Sequence, residues 1–364
     1  MPSADLSGKG ILLKADPIAE TFRAEVQSSL TRLSRPPKLV GILATASEPS
    51  KFYADFTKKQ CEALGFVFEL RKTGAAADGG NGGEGGIIDS GGVEEEIIRA
   101  NEDDGVDGIM VYYPIFGPQQ DHYLQQVVSP FKDVEGLHFK FHYNLYHNIR
   151  FLQPNSLLSS IPPKASTANS DANATAVDSE VPPPGTVKSI IPCTPLAIVK
   201  SLEHIGVYNK LLPYGDRAYG KTVTVINRSE VVGRPLAALL SNDGARVFSV
   251  DIDSVQEYTK RPKVPPPSNP SESTTATAAS IKYHPRHVVH PSTNTLEGCL
   301  SLSDVVISAV PNASYKVKTE WLKDGCICIN VAAEKNFEKD VRDKASMYIP
   351  AVGKVTILML LRNL

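Results

Sequence analysis

The run Lys221-Thr-Val-Thr-Val-Ile-Asn-Arg-Ser-Glu-Val-Val-Gly-Arg-Pro-Leu-Ala-Ala-Leu-Leu240 constrains this chain more than any other. Residues 223–226 read as a buried strand, a polar turn follows, and the apolar spacing predicts a helix from about residue 234. A second strand is predicted at 245–250, and it ends on Asp251. This is a β-α-β unit whose acid lies about twenty residues beyond the turn, where a dinucleotide fold accepts ribose hydroxyls. Only Gly233 stands for the usual three glycines, so the pattern takes its meaning from its surroundings.

Those surroundings alternate strand and helix. Strands are predicted at 38–44, 66–71, 108–113, 304–309 and 325–331, and helices at 50–64, 93–101 and 195–205. The helix at 50–64 would bury Phe52, Phe56 and Ala63 and stop at Gly65. Alternation of this kind in both halves predicts an α/β fold of two lobes with largely parallel sheets. The second lobe is Rossmann-like and doubly wound, and a cleft between the lobes would hold ligands at the carboxyl ends of the strands. Three stretches read as flexible surface inserts: glycine-rich 74–92, Ser/Ala/Pro-rich 154–185 and Pro/Ser/Thr-rich 261–280. None carries enough apolar surface to offset the entropy of ordering it.

A length of 364 residues allows two domains, each with its own core. The formal charge of -2 leaves no basic surplus for a nucleic-acid partner. No apolar run is long enough to span a membrane. The five cysteines (61, 193, 299, 326, 328) make no metal-ligating framework, so no metal is expected. Cys326 and Cys328 fall two apart on a predicted strand and point the same way, as a buried thiol pair. The odd cysteine count fits a reducing compartment, and the N-terminus has neither signal nor transit character, so a cytoplasmic protein is expected.

Six motifs occur in order: Ser50-Lys-Phe-Tyr53, Lys132-Asp-Val-Glu-Gly136, Pro192-Cys-Thr-Pro195, Asn227-Arg-Ser-x-x-Val-Gly-Arg-Pro235, Ser303-Asp-Val-Val-Ile-Ser-Ala-Val-Pro311 and Gly353-Lys-Val-Thr356. In this order they make the chain resemble the methylenetetrahydrofolate dehydrogenase/cyclohydrolase family along nearly its whole length, the inserts aside. The details are most similar to the monofunctional, NAD-dependent fungal branch. The resemblance implies a folate-binding catalytic domain at 1–190, an NAD-binding Rossmann domain at 191–345, and a C-terminal segment, 346–364, returning to the first domain. It further implies a homodimer, a small-molecule folate substrate and NAD as cofactor. The implied reaction is hydride transfer from 5,10-methylenetetrahydrofolate to NAD, giving the methenyl compound.

Roles follow by resemblance. Tyr53 would lie against the aminobenzoyl part of folate. Bifunctional members carry a lysine four residues after that tyrosine, one helical turn on, and a glutamine on the next strand that orients it. Here those positions are Thr57 and Tyr112. Both departures fall on the hydrolytic half of the chemistry, so little or no cyclohydrolase activity is expected. Asp133 and Glu135 would bind the pterin, with Glu135 one methylene longer than the usual aspartate. Cys193 and Thr194 would border nicotinamide and folate, or else only start a helix, with Thr194 as its cap and Pro195 in its first turn. The shortened loop Ile349-Pro-Ala-Val-Gly-Lys-Val-Thr356 would bring Val352 and Gly353 to the folate.

On the cofactor side, Asn227, Arg228, Ser229, Val232 and Gly233 form the phosphate turn. Asp251 and Ile252 take the ribose end, and Ala309, Val310 and Pro311 border the cofactor through backbone groups. Asp251 would repel a 2′-phosphate by like charge, whereas Arg228 could pair with one. Asp251, at the strand end, decides for NAD. Two other readings stand beside this one: an NADP-using or residually bifunctional relative, and a catalytically silent folate- or nucleotide-binding protein.

Overall fold

A computed structural model describes residues 8–77, 90–159, 180–260 and 284–364. The chain opens with β1 (Ile11–Leu12) and α1 (Ala15–Leu30). The first lobe continues through β2 (Lys38–Leu43), α2 (Glu48–Leu64), β3 (Val67–Lys72), α3 (Ser90–Glu102), β4 (Gly108–Val111), α4 (Pro118–Val127) and α5 (Phe139–Tyr146). Its sheet has three parallel strands in the order β3-β2-β4. Central β2 is buried on both faces, which is why its sequence is an unbroken apolar run. Edge strand β3 carries Glu69 and Arg71, an ion pair 2.7 Å apart, and such charges discourage further strand addition.

A small ladder of β5 (Phe151–Leu152) and β6 (Val187–Lys188) leads to α6 (Cys193–His204). The second lobe follows as β7 (Thr222–Ile226), α7 (Gly233–Asn242), β8 (Arg246–Val250), β9 (Val255–Thr259), β10 (Val288–Ser292), α8 (Leu296–Leu302), β11 (Val305–Ser308), β12 (Ile327–Asn330), β13 (Met347–Ile349) and α9 (Gly353–Asn363). Its sheet runs β1-β13-β12-β11-β7-β8-β9-β10. The strands are parallel as far as β8, and then β9 and β10 are antiparallel. Buried Leu236, Leu240, Val247 and Phe248 are among the side chains packed in this lobe. Each such burial stabilises by roughly 1.5–3 kcal/mol.

The predicted β-α-β unit is present, with helix and strand starts within a residue of expectation. Other elements shift. α2 begins at Glu48, with Pro49 in its first turn, and ends on Gly65, whose φ of 94° is a left-handed cap. It buries Ala54, Thr57, Cys61 and Leu64 rather than Phe52, Phe56 and Ala63. Phe52 is 74% exposed, because the expected face followed the bulkiest residues, whereas a thin stripe of small side chains lets the helix approach the sheet. α6 starts two residues early, at Cys193, with Pro192 at the cap, so Thr194 lies inside the helix and caps nothing.

The inserts only partly coincide with structure. Gly74–Ala76 and Pro154–Leu158 are short 3-10 turns, and α3 already begins at Ser90. The rest of the first two inserts, from 78 to 89 and from 160 to 179, and the insert at 261–280 lie outside the described residues. β1, near the N-terminus, pairs in parallel with β13 of the second sheet, and α9 packs on α1, α2 and α6. Among the described residues no helix is long and apolar enough to cross a membrane.

Candidate active site

Helix α2 aims Tyr53 at the end of β4. The Tyr53 ring stacks on Phe56 at 6.4 Å and meets Tyr112 edge-on at 6.2 Å and 84°. One turn further along α2, Thr57 is wholly inaccessible, and its hydroxyl donates to the Tyr53 carbonyl at 2.8 Å. That bond is a common back-bond of helical threonine. It spends the only proton Thr57 has, so toward the Tyr112 hydroxyl beside it Thr57 can only accept, and the geometry between the two falls short of a well-formed bond. The buried hydroxyl of Tyr113 also lacks one. Burial pushes the phenols of Tyr53, Tyr112 and Tyr113 well above their usual range, so all are neutral at pH 7.

The Lys-Asp-Val-Glu-Gly segment lies alongside β4, and its residues divide the work. Lys132 donates to the carbonyls of Ala100, Asn101 and Asp103 at 3.0, 2.8 and 2.7 Å, so it closes the end of α3. Asp133 accepts from the backbone N–H groups of Glu135 (3.1 Å), Gly136 (2.8 Å) and His138 (2.8 Å). Both its oxygens thus shape the loop, and burial outweighs these bonds and raises its pKa to about 6. Glu135 is the acid that looks inward. It accepts from Val111 N–H at 3.1 Å, and burial, reinforced by Asp133, raises it to about 8. Near neutral pH it is mostly a neutral carboxyl, able both to donate and to accept.

The Glu135 carbonyl accepts from Cys193 N–H at 3.0 Å, which brings the start of α6 to this cluster. Burial pushes the Cys193 thiol far up, so it is no thiolate nucleophile. Thr194 is half-buried next to it. Val352 packs in the same core cluster as Tyr112 and Cys193, and a Cβ at Gly353 would meet open space. Tyr53, Tyr112, Glu135 and Cys193 therefore converge, while Asp133 stands behind them as loop support.

The cofactor side is built at the carboxyl ends of β7, β8 and β11. Asn227 follows β7 at a φ of 84°, its side chain donating to Ala309 carbonyl and accepting from Ser229 N–H, each at 2.9 Å. It ties the turn after β7 to the 309–311 loop. A Cβ on Gly233 would lie 1.7 Å from the Asn227 carbonyl oxygen, so glycine is demanded by the turn's own backbone. The N–H groups of Val232 and Gly233, at the start of α7, meet only the Ser229 hydroxyl at 3.3 and 3.4 Å. Such long bonds leave the helix start open to an anion, which fits a dinucleotide phosphate.

Asp251 and Ile252 are exposed in the turn after β8, with Ile252 95% accessible and open to an apolar face. Backbone groups of Ala309 and Val310 are taken within the protein, because Asn336 accepts from Val310 N–H (3.0 Å) and donates to its carbonyl (2.9 Å). Ala309 N–H meets Ile226 carbonyl at 3.1 Å. Pro311 is exposed beyond them. The expected backbone contacts from this loop thus have prior partners. Tyr113 and Asn336 were not foreseen. Consecutive tyrosines ending an apolar strand were a usable signal for the first; a lone buried asparagine beyond a strand offers none. Among the described residues, no group of three or more His, Cys, Asp and Glu is placed to hold a metal ion.

A doubly wound sheet with a glycine-closed turn in the second lobe, together with an aromatic and acidic cluster on the first, defines a two-lobed α/β protein of the dinucleotide-binding class. The profile of the tetrahydrofolate dehydrogenase/cyclohydrolase catalytic domain matches residues 13–135, and that of the family's NAD(P)-binding domain matches 192–264. The chain belongs to the tetrahydrofolate dehydrogenase/cyclohydrolase family. Methylenetetrahydrofolate dehydrogenase [NAD(+)] of Saccharomyces cerevisiae is 44% identical over 99% of this chain and 96% of its own length. The protein of the same name from Schizosaccharomyces pombe is 42% identical over 96% and 90%. The solved structure of the NAD-dependent 5,10-methylenetetrahydrofolate dehydrogenase from Saccharomyces cerevisiae superposes with a TM-score of 0.75. It shares 43% identity, with 98% of this chain and 96% of that one covered.

Proposed function

We propose that this chain oxidises 5,10-methylenetetrahydrofolate to 5,10-methenyltetrahydrofolate with NAD, and that it does not hydrolyse the product. The carbon that gives up hydride lies between two nitrogens whose lone pairs stabilise the resulting cation, so the step needs positioning more than acid-base help. Bound NAD supplies the hydride acceptor. Tyr53 offers an aromatic wall, Glu135 a hydrogen-bonding carboxyl for the pterin, and the start of α7 an anion site. Asp251, exposed at the end of β8, accepts ribose hydroxyls and opposes a 2′-phosphate.

The observation that carries the loss of hydrolysis is Thr57. Hydrolysis needs an activated water and a proton for the leaving nitrogen. The residue in the lysine position is buried, uncharged and bonded to its own helix. Tyr112, held neutral, stands in the glutamine position and cannot act as a base. We further propose a homodimer working in the cytoplasm in one-carbon metabolism; light scattering and fractionation test these two points.

Mixing purified protein with methylenetetrahydrofolate and NAD and following absorbance of the reduced nicotinamide tests the oxidation. No absorbance rise over the protein-free control rules it out. Following decay of added methenyltetrahydrofolate tests the second half. Hydrolysis well above the uncatalysed rate defeats the claim of lost cyclohydrolase activity.

A further inference from the structure

Arg228 sits between the phosphate turn and Asp251, and its guanidinium is almost fully spent. Nε donates to Ser249 Oγ at 3.1 Å, and Nη1 donates to Ser254 Oγ at 3.0 Å. Nη2 donates to the carbonyls of Ser249 (2.6 Å) and Ser254 (3.0 Å). A guanidinium has five N–H donors. Four are committed here, which leaves one on Nη1. Bidentate grip on a phosphate needs two parallel donors.

The partners explain what the bonds accomplish. Ser249 is fully buried in β8, and Ser254 is exposed just before β9, so they flank the turn that carries Asp251. The Ser254 carbonyl also accepts from Asp251 N–H at 3.0 Å, which closes the same turn. Arg228 thus joins a fixed strand to an exposed turn, and the turn presents the acid.

We propose that Arg228 is a specificity-determining positioning residue, pinned by Ser249 and Ser254 so that it braces the Asp251 turn and is withheld from a 2′-phosphate. This rests on the reading of Asp251 as the ribose acceptor. The arginine that by its charge argues for NADP instead supports NAD, because its donors face the protein. The serine pair withholds the arginine's charge, and the turn it braces presents the Asp251 carboxylate that opposes a 2′-phosphate.

The test uses the full chain and two nucleotides that differ only in the 2′-phosphate, 5′-AMP and 2′,5′-ADP, titrated by calorimetry. Wild type prefers 5′-AMP. Ser254→Ala, at an exposed position, removes only the Nη1 anchor and leaves that nitrogen two unpaired N–H groups for a single charge-assisted contact, which shifts the ratio toward 2′,5′-ADP by about fivefold. Arg228→Gln weakens 5′-AMP at least as much as 2′,5′-ADP, and hydrogen exchange at the Asp251 amide speeds up in the nucleotide-free protein. The proposal is overturned if Arg228→Gln selectively weakens 2′,5′-ADP, or if Ser254→Ala leaves the ratio unchanged. Failure of the underlying reading has another signature: wild type that binds neither nucleotide.

Discussion

The Thr57 hydroxyl and the Tyr53 carbonyl are joined by a 2.8 Å hydrogen bond one helical turn apart, in a helix face from which Thr57 sees no solvent. An ammonium group introduced there would lose its hydration without gaining a partner. Thr57→Lys alone should therefore lower stability by about 3 kcal/mol and leave methenyltetrahydrofolate hydrolysis near background. Pairing it with Tyr112→Gln, which removes a bulky neutral phenol, should raise hydrolysis. Thermal midpoints and methenyl absorbance decay check this; rapid hydrolysis by the single variant would contradict it.

Glu135 should make stability fall as pH rises. Its carboxyl holds its proton up to about 8 in the folded chain, against 4.5 as its ordinary value. Between these limits the folded state keeps a proton that the unfolded chain releases. Stability then declines by up to about 1.4 kcal/mol per pH unit across that window. Asp133 acts in the same sense between 3.8 and about 6. Glu135→Gln removes the part of the slope above pH 6 and weakens folate binding. Urea unfolding at pH 6 and pH 8 measures this, and equal slopes in variant and wild type would disprove it.

Gly233→Ala should be among the most damaging single-methyl changes in the second lobe. The added carbon meets a carbonyl oxygen of a tied backbone, so relief requires the turn to open. A loss of about 3 kcal/mol or more is expected, together with loss of NAD binding. Calorimetric unfolding decides it, and a wild-type midpoint would show that the turn is softer than drawn.

Asp251→Ser removes the charge proposed to oppose a 2′-phosphate and keeps a hydroxyl for the ribose. The ratio of kcat/KM for NAD to that for NADP should fall by about tenfold, mostly through better use of NADP. Steady-state rates with both cofactors measure it. An unchanged ratio would remove Asp251 from its role.

The alternation of strands and helices, the β-α-β unit and the position of Asp251 were legible in the sequence because each rests on local periodicity. The helix bearing Tyr53 was legible too, but its buried face was not. Phe52 is the larger apolar residue and points outward, whereas Thr57 and Cys61 face the core. Which stripe a helix buries depends on how closely its neighbour approaches, and that is a property of the packed pair. The antiparallel β9–β10 pair was missed because the 261–280 tract separates its strands in sequence.

By itself the sequence determined the fold class, the order of motifs and the identity of the chemical groups available at Tyr53, Thr57, Glu135 and Asp251. Only the tertiary structure decided what those groups are free to do. Asp133 and Lys132 share a motif with Glu135, yet their polar atoms are consumed in shaping the loop and closing a helix, while Glu135 turns inward. Arg228 carries a charge that argues for one cofactor, but its donors are spent on Ser249 and Ser254. The reason is physical: a side chain's type sets what bonds it can make, and burial together with competing partners sets which of them remain to be made.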